Sequence, residues 1–98
     1  MNIIKINHVD FVPSKLTDNH KIEGVFVFSH RKGKRIYKKP RNIGVVRLAK
    51  NENIYCYQHL DIMCPLSYDT MLCIARFLRE LNDNETIFDN EQGTLTRR

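Results

Sequence analysis

Several features are missing from this 98-residue chain, and each absence excludes a class of protein. No apolar run approaches the roughly 18 residues that a membrane-spanning helix needs, so we predict no membrane association. The N-terminal residues lack the long apolar stretch and small-residue cleavage site of a secretory signal. Only three cysteines are present, an odd number that is unusual for a small disulfide-bonded domain. Together these absences predict a cytoplasmic protein, located in the host cell if the protein is viral.

The chain also lacks the spacing of Cys and His residues that is typical of a metal-binding motif. Four potential zinc ligands lie near one another in the sequence, namely Cys56, His59, Cys64 and Cys73. Their spacing matches no standard zinc motif, and Cys56 and His59 fall on opposite faces of a predicted strand. We therefore interpret the cysteines as structural residues and predict no metal site and no cofactor.

Catalytic motifs are equally scarce. The four glycines are scattered singly, which excludes a phosphate-cradling loop, and no Gly-x-Ser-x-Gly sequence marks a serine nucleophile. His20 and His30, together with Asp18 and Glu23, could form an acid/base or nuclease site, but no second carboxylate follows at a motif spacing. The two histidines are more typical of loop positions, so we predict that the protein is not an enzyme.

The residues that are present are sufficient for one folded domain. Apolar residues make up 42% of the chain, which allows one core, and the chain is too short for two. Alternating apolar residues bounded by turn residues predict β-strands at 2–12, 22–29, 36–38, 43–50 and 54–59. We predict an α+β fold, in which a small antiparallel sheet of four to five strands carries one C-terminal helix packed on one face. The domain is predicted to span 1–88, and 89–98 to form a flexible tail.

Local features refine the prediction of the strands. The apolar alternation changes phase near His8, which predicts a bulge, and Pro13 is expected to end the first strand. The strand at 22–29 is apolar on both faces and is predicted to be central in the sheet. Gly33 favours a tight reversal, and Pro40 is expected to stop the returning strand before the next one begins at Ile43.

A single helix is predicted from about Tyr68 to Leu81. Ser67 is suited to the N-cap, and Asp69 lies in the first turn, where a carboxylate stabilises the helix dipole. At 100° per residue, the face expected to contact the sheet carries Met71, Ile74, Ala75, Phe77, Leu78 and Leu81. The opposite arc is expected to be exposed and carries Asp69, Arg76, Arg79, Glu80 and Asp83.

Charge is distributed very unevenly along the chain. No acidic residue occurs between Gly24 and Asn51, although the net charge of the whole chain is only +5. Nine of the sixteen Lys and Arg residues fall in this span. Tyr37, which lies among them, could stack on an unpaired base. The predicted binding residues are Arg31, Lys32, Lys34, Arg35, Tyr37, Lys38, Lys39, Arg41, Arg47 and Lys50.

Two hypotheses for function follow from this charge pattern. Clustered like charges repel one another, and a polyanion removes that repulsion and gains entropy from released counterions. The first hypothesis is a non-catalytic nucleic-acid-binding protein, for DNA or RNA, with a basic β-hairpin or arm at 31–41 that contacts the phosphate backbone. The second is a small viral or mobile-element interaction protein that binds and inhibits a larger host protein through its basic surface, which would contact an acidic surface of that partner. Small size, the absence of catalytic motifs and a composition rich in Asn, Ile and Lys, which is common in viruses and mobile elements, favour this class. A basic hairpin without a specific partner, which only protects an exposed strand edge, is the remaining interpretation.

Overall fold

A computed structural model describes residues 2–14 and 24–98 of the protein. Asp18, His20, Ile22 and Glu23, for which a loop and the start of a strand were predicted, lie outside the described residues. The elements, in chain order, are β1 (Ile4–Ile6), β2 (Val9–Ser14), β3 (Gly24–Lys32), β4 (Arg35–Ala49), β5 (Ile54–His59), α1 (Tyr68–Asn82), β6 (Thr86–Asp89) and β7 (Thr94–Arg97).

The first five strands form one antiparallel sheet in the order β1-β2-β3-β4-β5, so that neighbours in sequence are neighbours in space. α1 packs on one face of this sheet, and β6 and β7 pair as a separate hairpin. The predicted α+β fold is confirmed. β3 is central, as predicted, with Val25 and Val27 buried towards the helix and Phe26 and Phe28 half-buried on the other face. The described part of the chain has no helix that is both long and apolar enough to span a membrane.

A tight turn separates β1 from β2. Ile6 pairs with Val9, and Asn7 in the turn has a φ of 51°. Asparagine adopts this left-handed conformation more readily than most residues. The turn places Ile6 and Val9 on the same face of the sheet, where both are buried. The predicted bulge near His8 is therefore wrong, because the change of phase in the apolar pattern marks a hairpin turn.

β4 is one strand of 15 residues that passes through Pro40. The prediction of two strands separated at Pro40 is therefore wrong. Ser29 of β3 pairs with Arg41, whereas Arg31 pairs with Ile36, so residues 37–40 bulge out opposite His30 alone. A proline in this bulge does not have to donate a hydrogen bond to a regular ladder, which is why the strand can continue through it.

α1 begins and ends close to the predicted residues. The Oγ atom of Ser67 accepts a hydrogen bond of 3.3 Å from the backbone amide of Thr70, which confirms the N-cap. The buried face is rotated from the predicted one, since Met71 and Ala75 are exposed. Ile74, Phe77 and Leu81 are buried as predicted, and the buried face also includes Thr70, Cys73 and Glu80.

The rotation of α1 is possible because the polar residues on its buried face have partners. A carboxylate oxygen of Glu80 lies 3.3 Å from Nη2 of Arg97 on β7. The Oγ1 atom of Thr70 lies 2.8 Å from Nε2 of His8. A buried polar group that keeps a hydrogen bond or an opposite charge avoids most of the cost of leaving water. Glu80, which was expected on the exposed arc, can therefore face the interior.

The core between α1 and the sheet is centred on two phenylalanines. Phe77 of α1 and Phe11 of β2 are completely buried, and their rings stack with centroids 4.0 Å apart and planes 11° from parallel. Such a pair adds about 0.5–1.5 kcal/mol to the stabilisation from burial of its surface. This contact fixes α1 on the sheet, and α1 in turn carries Asp69 to the base of the basic hairpin.

The C-terminal residues form a hairpin that differs from the flexible tail expected over 89–98. Leu95 of β7 is only 1% exposed and belongs to the core. Its carbonyl oxygen accepts a hydrogen bond of 3.0 Å from Nδ2 of Asn2. The run Thr94-Leu95-Thr96 contains a single apolar residue, so periodicity alone could not distinguish this strand from a polar tail.

Candidate nucleic-acid interface

The basic arm, residues 31–41, is the end of the β3–β4 hairpin. Lys32 pairs with Arg35 across a turn at Gly33 and Lys34, and Gly33 has a φ of 60°. Glycine adopts this left-handed conformation without strain because it has no Cβ atom. The predicted reversal at Gly33 is confirmed, and it gathers the basic residues of two strands into one hairpin.

Two arginines and one lysine hold the basic arm against the rest of the protein. Nη2 of Arg31 lies 3.1 Å from Oδ2 of Asp69 at the start of α1. Arg41 forms an ion pair with Asp61, whose side chain is only 14% exposed, and this contact raises the pKa of the Arg41 guanidinium. Nζ of Lys32 donates a hydrogen bond of 3.2 Å to the backbone carbonyl of Met63. These three cations therefore serve as anchors and are less available to a partner.

Tyr37 also helps to hold the basic arm against the rest of the protein. Its ring is half-buried, and its hydroxyl oxygen lies 3.7 Å from Sγ of the buried Cys64. Partial burial, followed by this contact, raises the pKa of the Tyr37 hydroxyl above its usual value. The hydroxyl end of the ring is therefore directed towards the protein, and only the remaining part of the ring could stack on a base.

Four cations of the basic arm take no part in these anchoring contacts. They are all exposed, and none forms an ion pair or a side-chain hydrogen bond with a described residue: Lys34, Arg35, Lys38 and Lys39. The first two lie at the tip of the hairpin and the other two lie in the bulge of β4. With no acidic residue in the arm itself, they form a local concentration of uncompensated positive charge.

Arg47 and Lys50 were predicted to bind together with the arm, but the structure places them elsewhere. They lie near the other end of β4 and line a cavity of about 320 Å³ together with Tyr55 and Phe88. Nε of Arg47 is buried and has no hydrogen-bond partner among the described residues. The sequence interval of high charge therefore corresponds to two separate places on the surface.

The side chains considered as zinc ligands do not converge on one metal position. Cys56 is exposed, whereas Cys64 and Cys73 are buried. Both ring nitrogens of His59 are engaged, Nδ1 at 2.8 Å from the hydroxyl oxygen of Tyr57 and Nε2 at 2.8 Å from the carbonyl oxygen of Cys64. Within residues 2–14 and 24–98, no group of three or more His, Cys, Asp or Glu side chains is arranged to hold a metal ion.

Sequence reasoning missed one histidine–carboxylate pair beside the arm. Nε2 of His30 lies 2.7 Å from Oδ2 of Asp10 on the neighbouring strand β2. Asp10 is nearly buried, and the histidine compensates for the loss of water around its carboxylate. The pairing of β2 with β3 creates this contact, so only the register of these two strands could have revealed it.

No protein-family model, curated protein or solved structure matches the chain. The fold and the site define a small α+β protein with an anchored basic hairpin, in which four exposed cations have no ion-pair partner among the described residues.

Proposed function

We propose that the protein is a non-catalytic nucleic-acid-binding protein whose basic arm contacts the phosphate backbone. The observation that carries the proposal is the group of four exposed cations without a partner among the described residues, Lys34, Arg35, Lys38 and Lys39. A protein keeps like charges together at a cost in electrostatic repulsion, and a polyanion removes that cost on binding. The phosphate backbone also releases counterions when lysine and arginine neutralise it.

The anchors of the arm support the same proposal. Arg31 and Arg41 form ion pairs with Asp69 and Asp61, so both strands of the hairpin are fixed near its base. A fixed hairpin loses less conformational entropy on binding than a free loop would, which leaves more of the interaction energy for affinity. A two-stranded ribbon also has the dimensions to enter the major groove of duplex DNA.

Four phosphate contacts would give a characteristic salt dependence. On duplex DNA, log K against log salt should have a slope of about −3.6, and on a single strand a slope of about −2.8. Contacts to phosphate position a protein without reading the bases, so little sequence preference is expected. The relative affinities for duplex and single-stranded nucleic acid, measured at one salt concentration, show which form the arm prefers.

The test is fluorescence anisotropy with labelled single- and double-stranded DNA and RNA of random sequence. The unmodified protein should bind with micromolar or tighter affinity near physiological salt. Replacing Arg35→Glu together with Lys38→Glu should abolish binding while the circular dichroism spectrum stays the same. The matched control is Lys50→Glu with Arg98→Glu, which changes the net charge equally at exposed positions away from the arm.

The control variant should bind almost as well as the unmodified protein. Binding that survives charge reversal in the arm, or that is lost equally in both variants, would contradict the proposal. No binding to any of the four nucleic acids even at low salt would overturn it altogether. A positive result would also identify the preferred form of nucleic acid.

A further inference from the structure

Large apolar side chains are exposed on α1 and on the loop that precedes it. Ile62 is 88% exposed, Met63 70% and Tyr68 70%, and Met71 and Leu72 are about half exposed. Ile36 of the basic arm is 79% exposed. Single exposed apolar residues are common on protein surfaces, but a contiguous group of them marks an interaction site.

Contacts at the base of the arm join these side chains into one surface. Arg31 pairs across the hairpin with Ile36, so both side chains lie on the same face, and Arg31 reaches Asp69, the neighbour of Tyr68. Lys32 contacts the carbonyl oxygen of Met63. These contacts bring the arm beside the loop and the first turns of α1, and we define the apolar patch as the exposed apolar side chains there: Ile36, Ile62, Met63, Tyr68, Met71 and Leu72.

A shallow groove crosses one side of the apolar patch. It has a volume of about 570 Å³ and runs between the β1–β2 turn and the exposed side of α1. Leu72 and Arg76 of α1 line it, together with Arg31 and Asp69. The groove therefore offers apolar contact and charged side chains to the same occupant.

The charge around the apolar patch is positive. Arg35 of the arm and Arg76 and Arg79 of α1 are exposed, and none forms an ion pair with a described residue. Asp61 and Asp69, which lie beside the apolar patch, are already paired with arginines. The exposed Asp83 lies at the far end of α1, one turn beyond Arg79. Charge complementarity therefore selects an acidic occupant.

The chemistry of the apolar patch favours a protein segment over other occupants. Tyr68 provides the only ring in the apolar patch on which a base could stack, and the other five residues, which are isoleucine, methionine and leucine, match the apolar side of an amphipathic helix. Methionine is flexible and polarisable, and it is frequent on surfaces that bind such helices. A second copy of this chain would bring the same cations together and repel itself.

We propose that the apolar patch is a docking surface for an acidic amphipathic segment of a partner protein. The apolar side of that segment covers Ile62, Met63 and Tyr68, and its carboxylates meet Arg35 and Arg76. The two proposals share Arg35, but the principal contacts of this one, Ile62, Met63 and Tyr68, are apolar side chains outside the arm.

Selection from a random-peptide display library on the immobilised protein tests the proposal. The enriched peptides should be acidic and should carry apolar residues at helical spacing. A resynthesised peptide is then titrated by anisotropy into the protein and two neutral variants. Met63→Ser with Tyr68→Ser should weaken binding at least about tenfold. The matched control, Ile54→Ser with Ile87→Ser, removes two other exposed isoleucines and should change the affinity less than about twofold.

Several results would overturn the inference. These are the absence of any enriched peptide, enrichment of basic or uncharged peptides, and unchanged binding to the Met63/Tyr68 variant. Two other results would assign the apolar patch to a different occupant. These are dimerisation in sedimentation experiments, or binding to vesicles of anionic phospholipid, if Met63→Ser with Tyr68→Ser abolishes that association. Lys38→Glu with Lys39→Glu separates the two proposals, because it should impair nucleic-acid binding and leave peptide affinity within about threefold.

Discussion

Neutralising two lysines of the basic arm should change the salt dependence of nucleic-acid binding by an amount that the structure sets. Lys38 and Lys39 lie in the bulge of β4 and are exposed. If each of the four unpaired cations neutralises one phosphate of duplex DNA, the slope of log K against log salt is about −3.6. The double variant Lys38→Gln, Lys39→Gln then has a slope of about −1.8. Between about 50 and about 200 mM salt, the unmodified protein should lose affinity about 150-fold and the variant about 12-fold.

The assay is fluorescence anisotropy on one labelled duplex, repeated over a series of salt concentrations. Lys50→Gln with Arg98→Gln removes the same charge away from the arm and should leave the slope unchanged. Circular dichroism establishes that both variants retain the fold. An unchanged slope in the Lys38/Lys39 variant would refute the assignment of phosphate contacts to these residues, and so would an equal decrease in both variants.

Three further predictions concern stability. Phe77→Ala should lower the free energy of unfolding in urea by about 3–5 kcal/mol, because it removes a buried ring stacked 4.0 Å from Phe11. A loss below about 1 kcal/mol would mean that this pair does not form the core. Leu95→Ala should lower stability by about 2–5 kcal/mol, whereas Leu60→Ala, at a side chain 41% exposed, should be nearly neutral. Equal thermal shifts in the two variants would argue against a docked C-terminal hairpin. Burial, followed by the charge of Arg31, lowers the pKa of His8 below 6.5, with Asp69 opposing and His30 adding to the effect. The folded state thus favours neutral His8, so protonation destabilises the protein as the pH falls below 6.5. His8→Gln should therefore lose less stability than the unmodified protein between about pH 7.5 and about pH 5.5, and identical losses would contradict this role for His8.

The sequence predicts those parts of the fold that depend on local interactions. Ser67 satisfies the backbone amide of Thr70, three residues further along the chain, so the start of α1 could be placed from a short segment. Gly33 provides the left-handed conformation that the arm requires, and it does so through its own backbone. The central position of β3 follows from its two apolar faces.

The errors arise where distant residues decide the outcome. Glu80 faces the interior because Arg97 pairs with it, and no periodicity within α1 could reveal a partner on β7. The bulge at Pro40 depends on the register between β3 and β4. For the same reason, the charge pattern identified the cations of the arm but could not show which are anchored, since Asp61 and Asp69 come from another part of the chain. Arg47 and Lys50 lie close to the arm in sequence but near the other end of a long strand.

The hydrogen bond between Asn2 and the carbonyl oxygen of Leu95 joins residues separated by 93 positions in the chain. During vectorial synthesis, the five-stranded sheet and α1 emerge from the ribosome before Leu95, which completes their core. Closing a loop of this length requires the chain to give up conformational entropy before the contact can stabilise it. The nascent protein therefore exposes part of its core until β7 has emerged and docked, and during this interval the exposed apolar surface favours chaperone binding and misassembly.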